Sequence, residues 1–387
     1  MPIAIPFHLS HHGAREAEAV REVLASGLTG GGGAVGARVE GVLRELLGTR
    51  HALVTTSCTH AMEACLLALG IGPGDEVLVP GFLYVSLAAA VARQGARPVF
   101  VDVEPERLGL DPVATERAIG PRTRAIFAVH YGGMACRIEE LLAIGARHGI
   151  PVLEDAAQAF HSAAADGRAL GSLGLAGCMS FHETKNVSCG EGGAVFTDDD
   201  ALARAVETIR DKGTNRAAAV RGEVPHYTWV SPGSSFTLSD VLAAILEVQL
   251  GLRDEILRER ERVAAAYRAL LAPLAARHQL VLGPEPRPGE RFNRHIVHVL
   301  VPPGFDRDSI GRGMRARGVG VTAHFQTLHD SPYMRETWPG EPPHLPVTAD
   351  TCARLLRLPI YPSLGDDAVA RVVEALAAEL DAARPAR

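Results

Sequence analysis

The sequence predicts an α/β protein: a large domain on a mostly parallel sheet, followed by a smaller C-terminal α+β domain. Three observations carry this reading. Between about residues 50 and 200, short β-rich apolar runs alternate with helical patterns, the order that lays helices on the faces of a parallel sheet. A long helical pattern with few breakers follows, and beyond it the loop-rich stretch GPEPRPGER at 283–291 shifts the composition. The chain has 387 residues, more than a single compact core usually supports. The expected division is 1–250 for the large domain with its N-terminal segment, and 251–387 for a connecting helix and the small domain.

In chain order, the expected strands are 51–55, 76–79, 98–103, 125–130, 151–155, 177–181 and 193–197. A helix over 59–69 presents Met62, Leu66 and Leu69 on one face and stops at Gly70; another, over 138–148, ends at Gly149 and Pro151. One helix is expected from Leu238 to about His278, with the charged run Arg253 to Arg262 in solvent. Strands near 295–301 and 318–325 and a closing helix over 366–383 complete the small domain.

Composition narrows the functional classes. A formal net charge of -6, with 22% charged residues, carries no basic footprint for a nucleic-acid partner. The longest apolar runs, such as Leu87 to Ala92, fall far short of the ~20 residues of a membrane span. The N-terminal stretch MPIAIPFHLSHHGARE shows no basic segment ahead of an apolar block, so a cytoplasmic protein is expected. Six scattered cysteines without a C-x-x-C pair indicate neither a disulfide framework nor zinc, and the histidines have no metal spacing. Gly30 to Gly33 lacks the Gly-Lys-Ser/Thr of a phosphate loop and reads as a flexible turn near the active site.

Of the 39 basic residues only Lys185 and Lys212 are lysines. Where lysine has otherwise given way to arginine, a retained lysine is a candidate for work a guanidinium cannot do, since the amine can lose a proton and attack a carbonyl.

Open α/β sheets bind ligands at the carboxyl ends of their strands. Three such ends bear chemistry. In HALVTTSCTHAME (51–63), a strand leads through a hydroxyl-rich turn into a helix N-terminus, where the backbone N–H groups with Ser57 and Thr59 form a phosphate site or a simple cap. In PVLEDAAQAFHS, Asp155 ends a strand and either caps a helix N-terminus or holds a ring nitrogen protonated, with Gln158 and His161 just beyond. In GCMSFHETKNVSCGEGGAVFTDD (177–199), a polar loop after Ser180 and Phe181 delivers Lys185, either to solvent or to an aldehyde cofactor with which it forms an imine.

The order of these features, with SFHETKN (180–186), GEGGA (190–194), KGTNR (212–216), YTW (227–229) and GSS (233–235), resembles the fold-type I pyridoxal-phosphate enzymes. Within them it resembles the DegT/StrS sugar-nucleotide aminotransferases, most of all the dTDP-4-amino-4,6-dideoxyhexose transaminases. The resemblance runs from TGGGGAVGARVE (29–40) to LLRLPIYPSL (355–364). It implies pyridoxal 5'-phosphate as cofactor, Lys185 as the Schiff-base lysine, Asp155 beside the pyridinium nitrogen, Gln158 near the phenolic oxygen and Tyr84 stacked on the ring. Ser57, Cys58, Thr59 and Ser180 match the phosphate cradle. Ser235 stands where many relatives supply an asparagine from the partner subunit. A homodimer with its active site at the subunit interface is implied, as are a nucleotide sugar and L-glutamate as substrates. His161 and His324 are candidates for the sugar pocket, and Arg221, Tyr227 and Trp229 for the diphosphate and base. The competing readings are sugar dehydration, against which Lys185 speaks because histidine replaces it in the resembling dehydratases, amination at carbon 3, and a non-catalytic cofactor-binding regulator.

Overall fold

The computed structural model describes residues 3–383. Its first unit is a seven-stranded sheet of β1 (His51–Thr55), β2 (Glu76–Pro80), β3 (Arg97–Val101), β4 (Thr123–Val129), β5 (Val152–Asp155), β6 (Ala176–Ser180) and β7 (Gly193–Thr197), in the order β1-β7-β6-β5-β4-β2-β3. Five neighbouring strands are parallel, and β7 runs antiparallel to both β1 and β6. The sheet is therefore mostly parallel, as expected. The strands read as continuous apolar runs because helices cover both faces, and β6 and β7 are buried along their whole length.

The helices of this unit are α1 (Ala14–Ser26), α2 (Ala34–Leu47), α3 (Cys58–Ala68), α4 (Val85–Arg93), α5 (Pro112–Ala118), α6 (Ile138–His148), α7 (Asp200–Arg210), α8 (Arg216–Val220) and α9 (Asp240–Gly251). One face of the sheet packs with α1, α2, α6 and α9 around Val39, Leu43, Ile126, Leu141 and Leu246; the other packs with α3, α4 and α7 around Met62, Leu66, Val77, Leu87 and Val206. Gly31 and Gly33 serve this packing. A Cβ on Gly33 would lie 2.2 Å from Asp240 Oδ2, and Asp240 accepts from the N–H groups of Val35 and Gly36 (both 3.1 Å). Gly33 thus seats the start of α2 on the carboxylate of α9, and Gly32, at φ 74°, makes a turn.

The single long helix expected over 238–278 is two. α9 stops at Gly251 and α10 (Arg253–His278) begins after Leu252, which sits at the joint. α10 leaves the large core at Ile256 and enters a second one at Val263, Tyr267 and Leu271. There it packs on a four-stranded antiparallel sheet of β8 (Val281–Leu282), β9 (Val297–Leu300), β10 (Thr322–Ala323) and β11 (Leu355–Leu358), ordered β10-β11-β9-β8. α11 (Arg307–Ala316) and α14 (Asp366–Ala382) complete this unit, with α12 (Pro332–Thr337) and α13 (Pro346–Arg354) in the connection to β11. Residues 4 and 5 depart from a division at 250/251: Ile5 bridges Val319 and is buried in the C-terminal core. The charged stretch of α10 departs too, since Arg260 is only 2% exposed. Its guanidinium donates to the carbonyls of Arg294 and His295, which brings the residue inward.

Candidate active site

The carboxyl ends of β5 and β6 lie side by side, with Asp155 in register with Cys178. The chain that leaves β6 folds back on itself before β7, held by Phe181 N–H to Gly192 O (2.8 Å), Cys189 N–H to Phe181 O (2.9 Å) and Glu183 N–H to Gly190 O (2.8 Å). Gly190, at φ 89°, takes the left-handed turn this hairpin needs. Its tip puts Lys185 into a cleft of about 510 Å³ between the two sheets. Ser57, Cys58, Thr59, Tyr84, Asp155, Gln158, Ser180, Lys185 and His324 all line that cleft.

Each lining group has a defined state. Burial lowers the pKa of Lys185, toward the neutral amine that attacks carbonyls. Burial raises that of Asp155, while the Ala157 N–H, Lys185 and His130 pull it back. One oxygen of Asp155, Oδ1, accepts from Ala157 N–H (3.0 Å), and Oδ2 is left for a further donor. Gln158 accepts from Gly132 N–H through Oε1 (2.7 Å), which fixes its amide so that Nε2 is free to donate. Ser57 caps α3 by accepting from His60 N–H (3.1 Å), and the N–H groups of Cys58 and Thr59 find no acceptor among the described residues. Two unpaired donors at a helix N-terminus form an anion site. Tyr84 stands at the mouth, 64% exposed, with Phe325 at 6.3 Å.

These groups fit pyridoxal phosphate. The α3 N-terminus and Ser180 suit its phosphate, Asp155 Oδ2 a protonated ring nitrogen, Gln158 Nε2 its phenolic oxygen and Lys185 its aldehyde. The close approach of β7 to α3 makes the phosphate end. A Cβ on Gly193 would lie 2.3 Å from Ser57 C and 2.4 Å from Cys58 N. Gly193→Ala is therefore expected to displace the first turn of α3 and weaken cofactor affinity by about tenfold or more, measured by titrating apoenzyme with pyridoxal phosphate.

Five sequence candidates lie outside this cleft. His161 pairs with Asp254 (3.2 Å). Arg221 is held by Glu207 (2.7 Å) and Glu223 (2.8 Å), so its charge is already neutralised. Tyr227 and Trp229 are 63% and 75% exposed, and Ser235 is exposed on a bridge to Asp211. Conversely, the cleft is lined by Phe7, His8, Tyr131, Arg260, His295, Phe325 and Arg357, most of which the sequence reading passed over. Arg357 had a signal: it interrupts an otherwise apolar run, LLRLP. Phe7 and His8 had none, because only the tertiary fold brings the N-terminal segment here. Among the described residues no group of His, Cys, Asp and Glu could hold a metal ion.

A buried lysine, a strand-end aspartate and a helix N-terminus in one α/β cleft define a pyridoxal-phosphate enzyme of the aminotransferase class. The sequence pattern of the DegT/DnrJ/EryC1/StrS aminotransferase family matches residues 10–377, and the chain belongs to that family. Its structure is similar to that of the aminotransferase TlmJ from Streptoalloteichus hindustanus (TM-score 0.89, 31% identity, 98% of this chain and 99% of that one). It is likewise similar to DesV from S. venezuelae (TM-score 0.85, 31% identity, 95% and 94%). The fold is shared with Spr1654 from Streptococcus pneumoniae in its PLP form (TM-score 0.89, 22% identity, 98% and 99%). The enzyme is a pyridoxal-phosphate-dependent aminotransferase.

Proposed function

We propose that the enzyme transfers the amino group of L-glutamate to carbon 4 of a dTDP-4-keto-6-deoxyhexose, releasing 2-oxoglutarate, and does so in the cytoplasm as a homodimer. The observation that carries the transfer itself is Lys185, a buried amine in the same cleft as the strand-end carboxylate of Asp155. The choice of acceptor rests on the pattern SFHETKN, GEGGA, KGTNR, YTW and GSS.

Bound here, pyridoxal phosphate supplies an electron sink for the charge that develops when the donor's α-proton leaves. The protein's part is done by named groups. Cys58 and Thr59 N–H with Ser180 hold the phosphate, and Asp155 keeps the ring nitrogen protonated. Lys185 Nζ would take the proton from the donor's α-carbon and would release it two bonds away, on the far side of the donor nitrogen; the reverse path would then serve the keto sugar. Both substrates visit one site in turn, so ping-pong kinetics follow.

The dimer reading draws on the exposed apolar side chains Val220, Tyr227, Trp229 and Val230 on one segment. A second copy covering this segment would bring Ser235, Tyr227 and Trp229 to a neighbouring cleft. No helix among the described residues is long and apolar enough to cross a membrane.

Incubating the enzyme with L-glutamate and a dTDP-4-keto-6-deoxyhexose, with the product assigned by NMR, tests the proposal. A 4-amino sugar nucleotide and stoichiometric 2-oxoglutarate are expected. Amination at carbon 3, or no transfer, overturns the acceptor assignment.

A further inference from the structure

A second cavity, of about 260 Å³, lies behind one wall of the cofactor cleft, at the seam of the two units. α10 contributes Arg268 and Leu271 to it, β8 and the loop after it Leu282 and Glu285, and the large unit Gly132 and Met134. The wall shared with the cleft is the segment 292–298. Phe292, Arg294, Ile296 and His298 line the second cavity. Asn293 and His295, between them, serve the other side: Asn293 Nδ2 donates to the carbonyls of Gln158 and Phe160 (both 2.8 Å), and His295 lines the cleft.

The polar groups of this cavity are short of acceptors. Arg268 and Arg294 share one carboxylate, that of Glu285, which Arg294 meets at 3.2 Å. Glu261, exposed on α10, acts on Arg294 without forming an ion pair. Burial and the nearby charge of Arg294 lower the pKa of Arg268, so the two guanidiniums oppose each other. Arg294 Nε is buried with no acceptor among the described residues. His298 is 7% exposed and its ring forms no hydrogen bond among the described residues. Burial lowers its pKa to about 4, so the ring is neutral and keeps an N–H to donate. Buried donors left unpaired are costly unless a ligand meets them. The rest of the lining, Met134, Leu271, Leu282, Phe292 and Ile296, is apolar.

We propose that this cavity is an effector site for a small monocarboxylate with an apolar body, and that its occupancy is felt at the cofactor. Arginine offers donors and no acceptor, so the polar end of the ligand accepts. One further carboxylate sets two negative charges against the two guanidiniums, which a neutral molecule does not do and a dianion exceeds. The volume is about half that of the cofactor cleft, which suits a short chain. Gly132 connects the two sites. It takes φ 66°, and a Cβ there would lie 2.9 Å from the Ile296 side chain, so its backbone rests on the cavity wall. Its N–H is the group that fixes the Gln158 amide (2.7 Å). The His298 ring stands edge-on to Tyr131 at 5.9 Å, and Tyr131 lines the cleft. A ligand that presses on Ile296 and His298 therefore bears on Gln158 and Tyr131.

Hexanoate is the probe, with hexanamide as its uncharged counterpart. Calorimetry on the holoenzyme is expected to give a dissociation constant of about 1 mM or below for hexanoate, and binding of hexanamide at least about tenfold weaker. Leu282→Trp fills the cavity from the edge strand β8, where Leu282 is only half-buried, and Arg294→Gln removes one of the two charges. Each should weaken hexanoate about tenfold or more, with melting curves showing that the variants fold. Titrating hexanoate into wild-type holoenzyme should shift the bound cofactor's visible band with the midpoint found by calorimetry, and Leu282→Trp should abolish the shift at those concentrations. No binding to wild type overturns the site, as does undiminished binding in the folded variants, which would put the anion in the cofactor cleft. Hexanamide binding as tightly as hexanoate overturns the carboxylate class. A band that stays in place while hexanoate binds overturns the coupling.

Discussion

Replacing Lys185 with alanine is expected to reduce transamination by about 10⁴-fold or more while leaving the fold intact. The side chain is the amine in the cleft, and Lys212, the other lysine, is 59% exposed and paired with Asp211 at the surface. No second amine can take over the proton transfer. Lys185→Arg should be as inactive, because the guanidinium keeps its proton and cannot attack an aldehyde. Release of 2-oxoglutarate measures the rate, and a melting curve shows that the backbone pairs of the 181–192 hairpin survive. A Lys185→Ala enzyme within tenfold of wild type would remove the residue from the mechanism.

The second large effect is expected at Asp155. Asparagine has the same shape and can still accept from Ala157 N–H through its carbonyl oxygen, so Asp155→Asn takes away the charge and little else. Breaking a buried charge pair by removing one partner costs about 3–5 kcal/mol, which corresponds to a loss of about 10²- to 10⁴-fold in kcat. The cofactor should still bind, since the phosphate end and Lys185 are untouched. The loss should fall on kcat far more than on the KM for L-glutamate, because the carboxylate meets the ring and not the donor. An equal loss in cofactor occupancy would make Asp155 an anchor and not a holder of the ring proton.

Much of the large unit could be read from sequence because its strands are buried runs bounded by glycines and helix caps. β1 and β7 have the bounds expected of them, and β5 and β6 differ by one residue at their ends. Strand direction was not legible: the apolar run of β7 looks the same whichever way it points, and only the hairpin that carries Lys185 turns it antiparallel. The break at Leu252 was hidden because both flanking segments have helical periodicity. Arg260 was misread as solvated because a charged run does not reveal which of its members turns inward to meet the carbonyls of Arg294 and His295.

The site shows a similar split. Residues attached to the ends of β5 and β6, such as Asp155 and Lys185, fall in the cleft because parallel strands place their carboxyl ends on one edge of the sheet. Residues of the 221–235 segment do not, because a local motif says nothing about which cleft it faces. The C-terminal wall was the least legible part. β11, which carries Arg357, was not anticipated as a strand, and its arginine meets His324 only through the pairing of β10 with β11.

The central claim, that Lys185 binds the cofactor covalently, can be tested in one measurement because the chain has only two lysines. Holoenzyme is reduced with borohydride, digested, and its lysine peptides weighed by mass spectrometry. The account predicts that the pyridoxyl mass lies on the peptide containing Lys185 and is absent from the one containing Lys212. Finding it on Lys212, or on neither, would contradict the account.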